Sequence, residues 1–116
     1  MNYLNVIFSA VSSAASVPVY AMAAPQGLMA DFIVVTLDGI AVTETKDLYK
    51  SERVNSTLFF HFYDADQAQS ELSTVRQALQ TGNDYSQAWL ENMQTFYNDN
   101  DETIIVSADF TFLINY

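Results

Sequence analysis

The chain contains no cysteine, and that absence removes disulfides, thiolate nucleophiles and cysteine-based zinc or iron sites together. It fits an intracellular origin. Basic residues are almost as scarce: Lys46, Lys50, Arg53 and Arg76 stand against fourteen Asp and Glu, for a formal charge of −10. Affinity for nucleic acid is built largely from cations laid on phosphates, so four scattered ones form no track, and sequence-specific DNA binding is not expected. Only three glycines and two prolines occur while half the residues are apolar, which excludes a disordered or low-complexity chain. The longest apolar run, near Phe32 to Leu37, falls far short of the ~20 residues of a membrane helix. Val6 to Ala15 is apolar and alanine-rich, yet no Lys or Arg precedes it, whereas a secretory signal begins cationic.

What is present is hydrophobic alternation. Ile104, Val106, Ala108, Phe110, Phe112, Ile114 and Tyr116 fall on every second position, with Ser107, Asp109, Thr111 and Asn115 between them, so the C-terminal segment reads as one long half-buried strand. Val54 to Tyr63 reads the same way, with Val54, Leu58, Phe60 and Phe62 inward and Ser56 as the exception, while Asn55, Thr57, Phe59, His61 and Tyr63 face outward. Asp31 to Leu37 is rich in β-branched residues and is expected to be buried on both faces over Phe32 to Val35. Asp38-Gly39 reads as a turn, with Ile40 to Thr45 pairing back as a short strand. A further strand is expected over Ala88 to Tyr97, joined to the last by the polar turn Asn98 to Glu102. Val17-Pro18-Val19-Tyr20 suits a sheet edge, where proline's missing donor does no harm, and Ala24-Pro25-Gln26-Gly27 suits a turn.

Two helices complete the pattern. Residues 3 to 15 carry Leu4, Ile7, Phe8, Val11 and Ala15 on one stripe, and Pro18 stops helical geometry at Val17. Asp64 and Gln67 form a capping pair ahead of Ala65, Ala68, Leu72, Val75 and Leu79, with Thr81-Gly82 as the stop. The order predicts a single α+β domain over residues 1 to 116: a mostly antiparallel sheet of about five to six strands, with an N-terminal helix and one long helix packed on it. The mixed-charge segment 44 to 53 reads as an exposed arm between two strands.

No constellation for chemistry emerges. Asn98-Asp99-Asn100-Asp101-Glu102 lacks the glycine and the distal glutamate of a calcium loop. His61, the only histidine, has no sequence-placed partner, Ser12-Ser13 lacks elbow glycines, and the three glycines are too far apart to cradle phosphate. No enzyme, metal or cofactor is expected. The aromatic set, Tyr20, Phe32, Phe59, Phe60, Phe62, Tyr63, Trp89, Phe96, Tyr97, Phe110, Phe112 and Tyr116, reads as mostly core. It still exceeds what one small core holds, and the surplus points to a subunit interface. The interface candidates are Val17 and Tyr20 at the edge, Lys46, Leu48, Tyr49, Lys50 and Arg53 in the arm, and Phe59 and Trp89 as apolar anchors.

The order of these segments resembles the tail terminator, or tail-completion, proteins of long-tailed bacteriophages. The likeness rests on the opening helix, Val17-Pro18-Val19-Tyr20, Ala24-Pro25-Gln26-Gly27 and Phe32-Ile33-Val34-Val35. It continues in Phe60-His61-Phe62-Tyr63, which runs into a helix with Val75-Arg76-Gln77-Ala78-Leu79, and in the closing Ser107 to Tyr116. At Ala30-Asp31-Phe32 the chain departs from the family's usual proline before the aromatic residue. The resemblance implies a homo-oligomeric ring, six copies in that family, that caps the tail tube and stops its polymerisation. The ring offers a surface to the head-side connector, in the virion neck, after assembly in the host cytoplasm. DNA would pass through its lumen without sticking, which an anionic lining favours. Two alternatives stand beside it: another neck, head-closure or minor tail component, and a small acidic inhibitor that mimics DNA.

Overall fold

A computed structural model describes residues 2–27, 30–44, 50–80, 82, 85–99 and 102–115. Helix α1 (Tyr3–Ala14) is followed by β1 (Val19–Ala21), β2 (Phe32–Glu44), β3 (Lys50–Phe62), α2 (Ala65–Leu79), β4 (Gln87–Asn98) and β5 (Thr103–Asn115). The five strands form one sheet in the order β1-β2-β3-β5-β4, antiparallel throughout except that β1 runs parallel to β2. The expected α+β architecture is therefore the one observed.

Both helices lie on one face of the sheet. Strands β3 and β4 each run antiparallel to β5, hence parallel to one another, and the chain passes between them through α2. Strand β5 then returns to fill the gap, so α2 crosses over it. Beneath the helix, β5 contributes Val106, Ala108, Phe110, Phe112 and Ile114, while β3 contributes Val54, Leu58, Phe60 and Phe62, all at most 2% exposed. Helix α2 answers with Ala68, Leu72, Val75 and Leu79, and α1 with Ile7 and Val11. The period-two and period-3.6 patterns of the sequence meet in this single core. Ala65, read as part of the α2 stripe, is instead exposed in the first turn, and Glu71 takes a buried place on that face.

The capping of α2 begins as its sequence suggests, with Asp64 Oδ1 accepting from the Asp66 amide at 2.8 Å. Asn2 does the same for α1 through the Asn5 amide at 3.1 Å. Both caps satisfy amides that the first helical turn leaves without partners.

Two expectations fail around residues 38 to 53. Asp38-Gly39 is no turn: β2 continues through it to Glu44, and Asp38 is an extra residue, a β-bulge between Leu37 and Gly39. A two-residue hairpin turn needs positive φ at its centre, and Gly39 does not have it. The arm shrinks for the same reason. Glu44 pairs with Lys50, Thr43 with Ser51, Val42 with Glu52 and Ala41 with Arg53, so 44 and 50–53 belong to a long β2–β3 hairpin. Lys46, Leu48 and Tyr49 lie outside the described residues, as do Thr81, Asn83, Asp84, Asn100, Asp101 and Tyr116.

Tyr85 closes the lower edge of the core. Its ring meets Phe112 edge-on at 5.0 Å, and a Cβ built on Gly82 would lie 2.4 Å from that ring. Glycine is required there by close approach, beyond the helix-stop role read from sequence. We predict that Gly82→Ala displaces Tyr85 and costs roughly 1–3 kcal/mol in urea unfolding. Burial also raises the Tyr85 hydroxyl pKa above 10.0. Since the folded value exceeds the unfolded one, the contribution is complete below pH 10.0 and is lost as pH climbs through the raised folded value. Alkaline unfolding should accordingly move to higher pH in Tyr85→Phe.

A candidate assembly surface on the open sheet face

The face of the sheet opposite the helices has no covering element among the described residues. Register places its side chains in transverse rows. One row runs Phe32–His61–Ile105–Phe96 and the next Tyr20–Val34–Phe59–Ser107–Gln94. Phe32 stacks on His61 with ring centres 4.4 Å apart and takes the Tyr20 ring edge-on at 6.0 Å. The result is an apolar, largely aromatic band at one end of the face. His61 thus serves as a stacking partner on a sheet surface, in keeping with a surface or interface residue.

The middle of the face is polar and acidic. Thr57 Oγ1 on β3 lies between Asp38 Oδ2 on β2 and Asp109 Oδ1 on β5, the latter at 2.8 Å. A hydroxyl has one proton to give, so Thr57 serves one of these carboxylates at a time. Thr36 Oγ1 sits 3.1 Å from Asp38 Oδ1 and 3.2 Å from the Thr57 carbonyl. One strand over, Thr111 Oγ1 sits 3.1 Å from Asn55 Oδ1 and 3.2 Å from Glu91 Oε1, which also accepts from Trp89 Nε1. Three carboxylates, Asp38, Asp109 and Glu91, therefore cross the sheet as a belt held by threonine hydroxyls. Thr57 and Thr111 are buried in it although they lie on the uncovered face.

The belt exists because of two bulges. Asp38 is the extra residue of β2, and Glu91 is the extra residue of β4, between Leu90 and Asn92. A bulge re-aims a side chain and increases local twist. Both stand on strand edges that have no neighbour at that level, where a bulge with a charge also discourages uncontrolled pairing.

Of the interface candidates, Tyr20 and Phe59 share the aromatic band, and Trp89 lies at the belt, all half-buried. Arg53 is exposed in the row Ala41–Arg53–Leu113–Gln87, at the far end of the face, while Val17 is half-buried near the β1 edge. Lys50 pairs through its backbone at the start of β3. The structure thus gathers Tyr20 and Phe59 and leaves Trp89, Arg53 and Val17 apart. Two aromatic residues of β4 counted with the mostly core set are instead exposed, Phe96 at 50% and Tyr97 at 62%, and Met93 joins them at 41%, while Tyr63, expected to face outward, is exposed at 44%. Alternation alone cannot show this, because it does not say whether a face is covered: Phe96 lies on the face opposite the helices, and Met93 and Tyr97, although on the helix side, are exposed. The belt was equally invisible, since a bulge leaves no fixed mark on sequence.

On the helix side, Glu71 fastens α2 to the segment after α1. Its Oε1 accepts from the Ser16 amide at 2.8 Å and its Oε2 from Ser16 Oγ at 2.5 Å. A shallow cleft beside this contact is lined by Asp31, Phe62, Gln67 and Glu71 among others. Among the described residues, no three His, Cys, Asp or Glu side chains cluster so as to hold a metal ion.

We predict that Glu71→Ala, which removes both acceptors from Ser16 in a part-buried contact, lowers stability by about 0.5–1.5 kcal/mol and speeds amide exchange at Ser16. Thr57→Val keeps the shape but removes the hydroxyl between two carboxylates. It should cost about 1–2 kcal/mol by denaturant titration.

No protein-family model matches the chain, and no curated protein matches it. Among solved structures it is similar to a chain of the virion of a native gene transfer agent particle, with a TM-score of 0.59 at 15% identity. The match covers 96% of this chain and 85% of that one, and it establishes a shared fold over the whole domain.

Proposed function

We propose that this chain is a structural virion protein, and specifically a tail terminator: a ring of identical copies that caps the phage tail tube, stops its growth and meets the head-side connector. The observation that carries the reading is the shared fold with a chain of a virion particle, end to end. It agrees with the segment order, which resembles that of tail terminators.

The surface supports the same reading. A working enzyme concentrates its polar groups in a cleft, whereas here they form a belt across a broad, uncovered sheet face. Beside that belt lies an aromatic band of the kind enriched at protein interfaces. Facing a channel, the belt and a net charge of −10 would repel the phosphate backbone and keep passing DNA mobile. Ring copies, tube protein and connector are the partners in this reading, and the virion neck is its place.

Native mass spectrometry of the purified chain should show a closed ring, six copies being the expected number, either alone or on tail tubes. Added to growing tubes, the protein should arrest their elongation. Antibody labelling at the head-tail junction supports the assignment. Labelling elsewhere in the particle moves the protein to another neck or minor tail role, and absence from particles rejects a virion function.

A further inference from the structure

We infer that copies of this chain join edge to edge, the free edge of β4 in one copy pairing antiparallel with the free edge of β1 in the next. The inference rests on the ring proposed above and names the surface that closes it.

The first observation is charge. No charged side chain occurs in residues 1–30, which include α1 and β1, and none occurs in residues 92–98 of β4. On a chain of charge −10, two copies repel wherever their acidic surfaces approach. Strand β1 at one lateral edge and residues 92–98 of β4 at the other, past the charged bulge at Glu91, are uncharged windows at which they can meet.

The second observation is exposure. Strand β4 has β5 as its one strand neighbour, the Ala88 amide near its start bonds to the Gln80 carbonyl, and farther along it displays Met93, Phe96 and Tyr97 to solvent. Met93 and Tyr97 lie on the helix side and Phe96 on the open side, so the apolar surface wraps the edge. Opposite, β1 is paired on one side only and is followed by Met22, 57% exposed. Past the Glu91 bulge, residues 92–98 form an edge with no charge on it, and such an edge is a template for another strand.

The third observation is direction and level. Strands β1 and β2 point one way, β3 the other, β5 back and β4 the other again, so β4 runs opposite to β1. A neighbour related by rotation about an axis along the strands keeps these directions, and β4 therefore meets its β1 antiparallel. Register then sets the height. Val19, Ile33, Phe60, Val106 and Thr95 form one transverse row, and Ala21, Val35, Leu58, Ala108 and Met93 another. Rotation alone brings Thr95 of one copy opposite Val19 of the next, and Met93 opposite Ala21. A head-to-tail contact that needs no rise along its axis closes into a ring instead of growing a filament.

Because the native chain has no cysteine, the seam can be tested by crosslinking alone. Ala21→Cys and Met93→Cys place thiols on exposed edge positions on the same side of the sheet. Treated with a short bismaleimide, in solution or on tube ends, the double variant should give a covalent ladder up to the ring's copy number. Each single variant should stay uncrosslinked. Dimers from Met93→Cys alone would mean β4 against β4 and overturn the head-to-tail seam. Rings of normal mass with no ladder in the double variant would overturn the seam while leaving the terminator reading standing. A chain that stays monomeric both in solution and on tubes would overturn that reading, and the seam with it.

Discussion

The burial of β5 beneath α2 is the packing on which the rest of this structure depends. A parallel crossover from β3 to β4 leaves a vacant place between them, and only a strand apolar along one whole face can fill it under a helix. Val106, Ala108, Phe110, Phe112 and Ile114 supply that face. Each fully buried side chain of this size contributes about 1.5–3 kcal/mol relative to exposure, so this row is among the largest favourable terms in the fold. Once β5 is seated, both helices are committed to one side of the sheet, and the other side is left to solvent or to a partner.

That side is organised although no element of the described residues packs on it. Aromatic residues gather at one end, and carboxylates cross the middle, where threonine hydroxyls on adjacent strands hold them in line. A surface required only to be soluble has no need of buried threonines or of a stacked histidine. Glu71 plays a corresponding part on the helix side, since its two bonds to Ser16 fix where β1 begins relative to α2. The position of the β1 edge therefore depends on a contact between residues 55 apart in sequence.

Much of the fold was legible in the sequence because its signals are periodic. The core face of β5, the inward Val54, Leu58, Phe60 and Phe62 of β3, both helices, and the buried Phe32–Val35 follow from alternation and spacing, whereas Ser56, the expected exception on β3, is itself fully buried. What was misread lay where pattern and geometry separate. Asp38-Gly39 has the composition of a turn, but a bulge absorbs the pair into the strand, and residues 44 and 50–53 of the supposed arm are paired in the β2–β3 hairpin. Phe96 and Tyr97 point to opposite faces of β4 and both are exposed, Phe96 on the side away from the helices and Tyr97 on the helix side, and alternation does not say which stretch of a face is covered. Tyr20 and Phe59 were identified as surface aromatics, while their neighbours Phe32, His61 and Ile105 joined them only through register.

The paired bulges have a consequence for how the sheet finds its alignment. A hairpin of uniform alternation can slide by two residues and still keep its apolar side chains on the correct face. In β2 and β4 the inserted residue breaks that translational equivalence, because a slid strand would carry Asp38 or Glu91 away from the hydroxyls that receive it. Each bulge therefore works as a notch that distinguishes one alignment from its near copies, and chains that zip up out of step lose these contacts instead of being trapped by them.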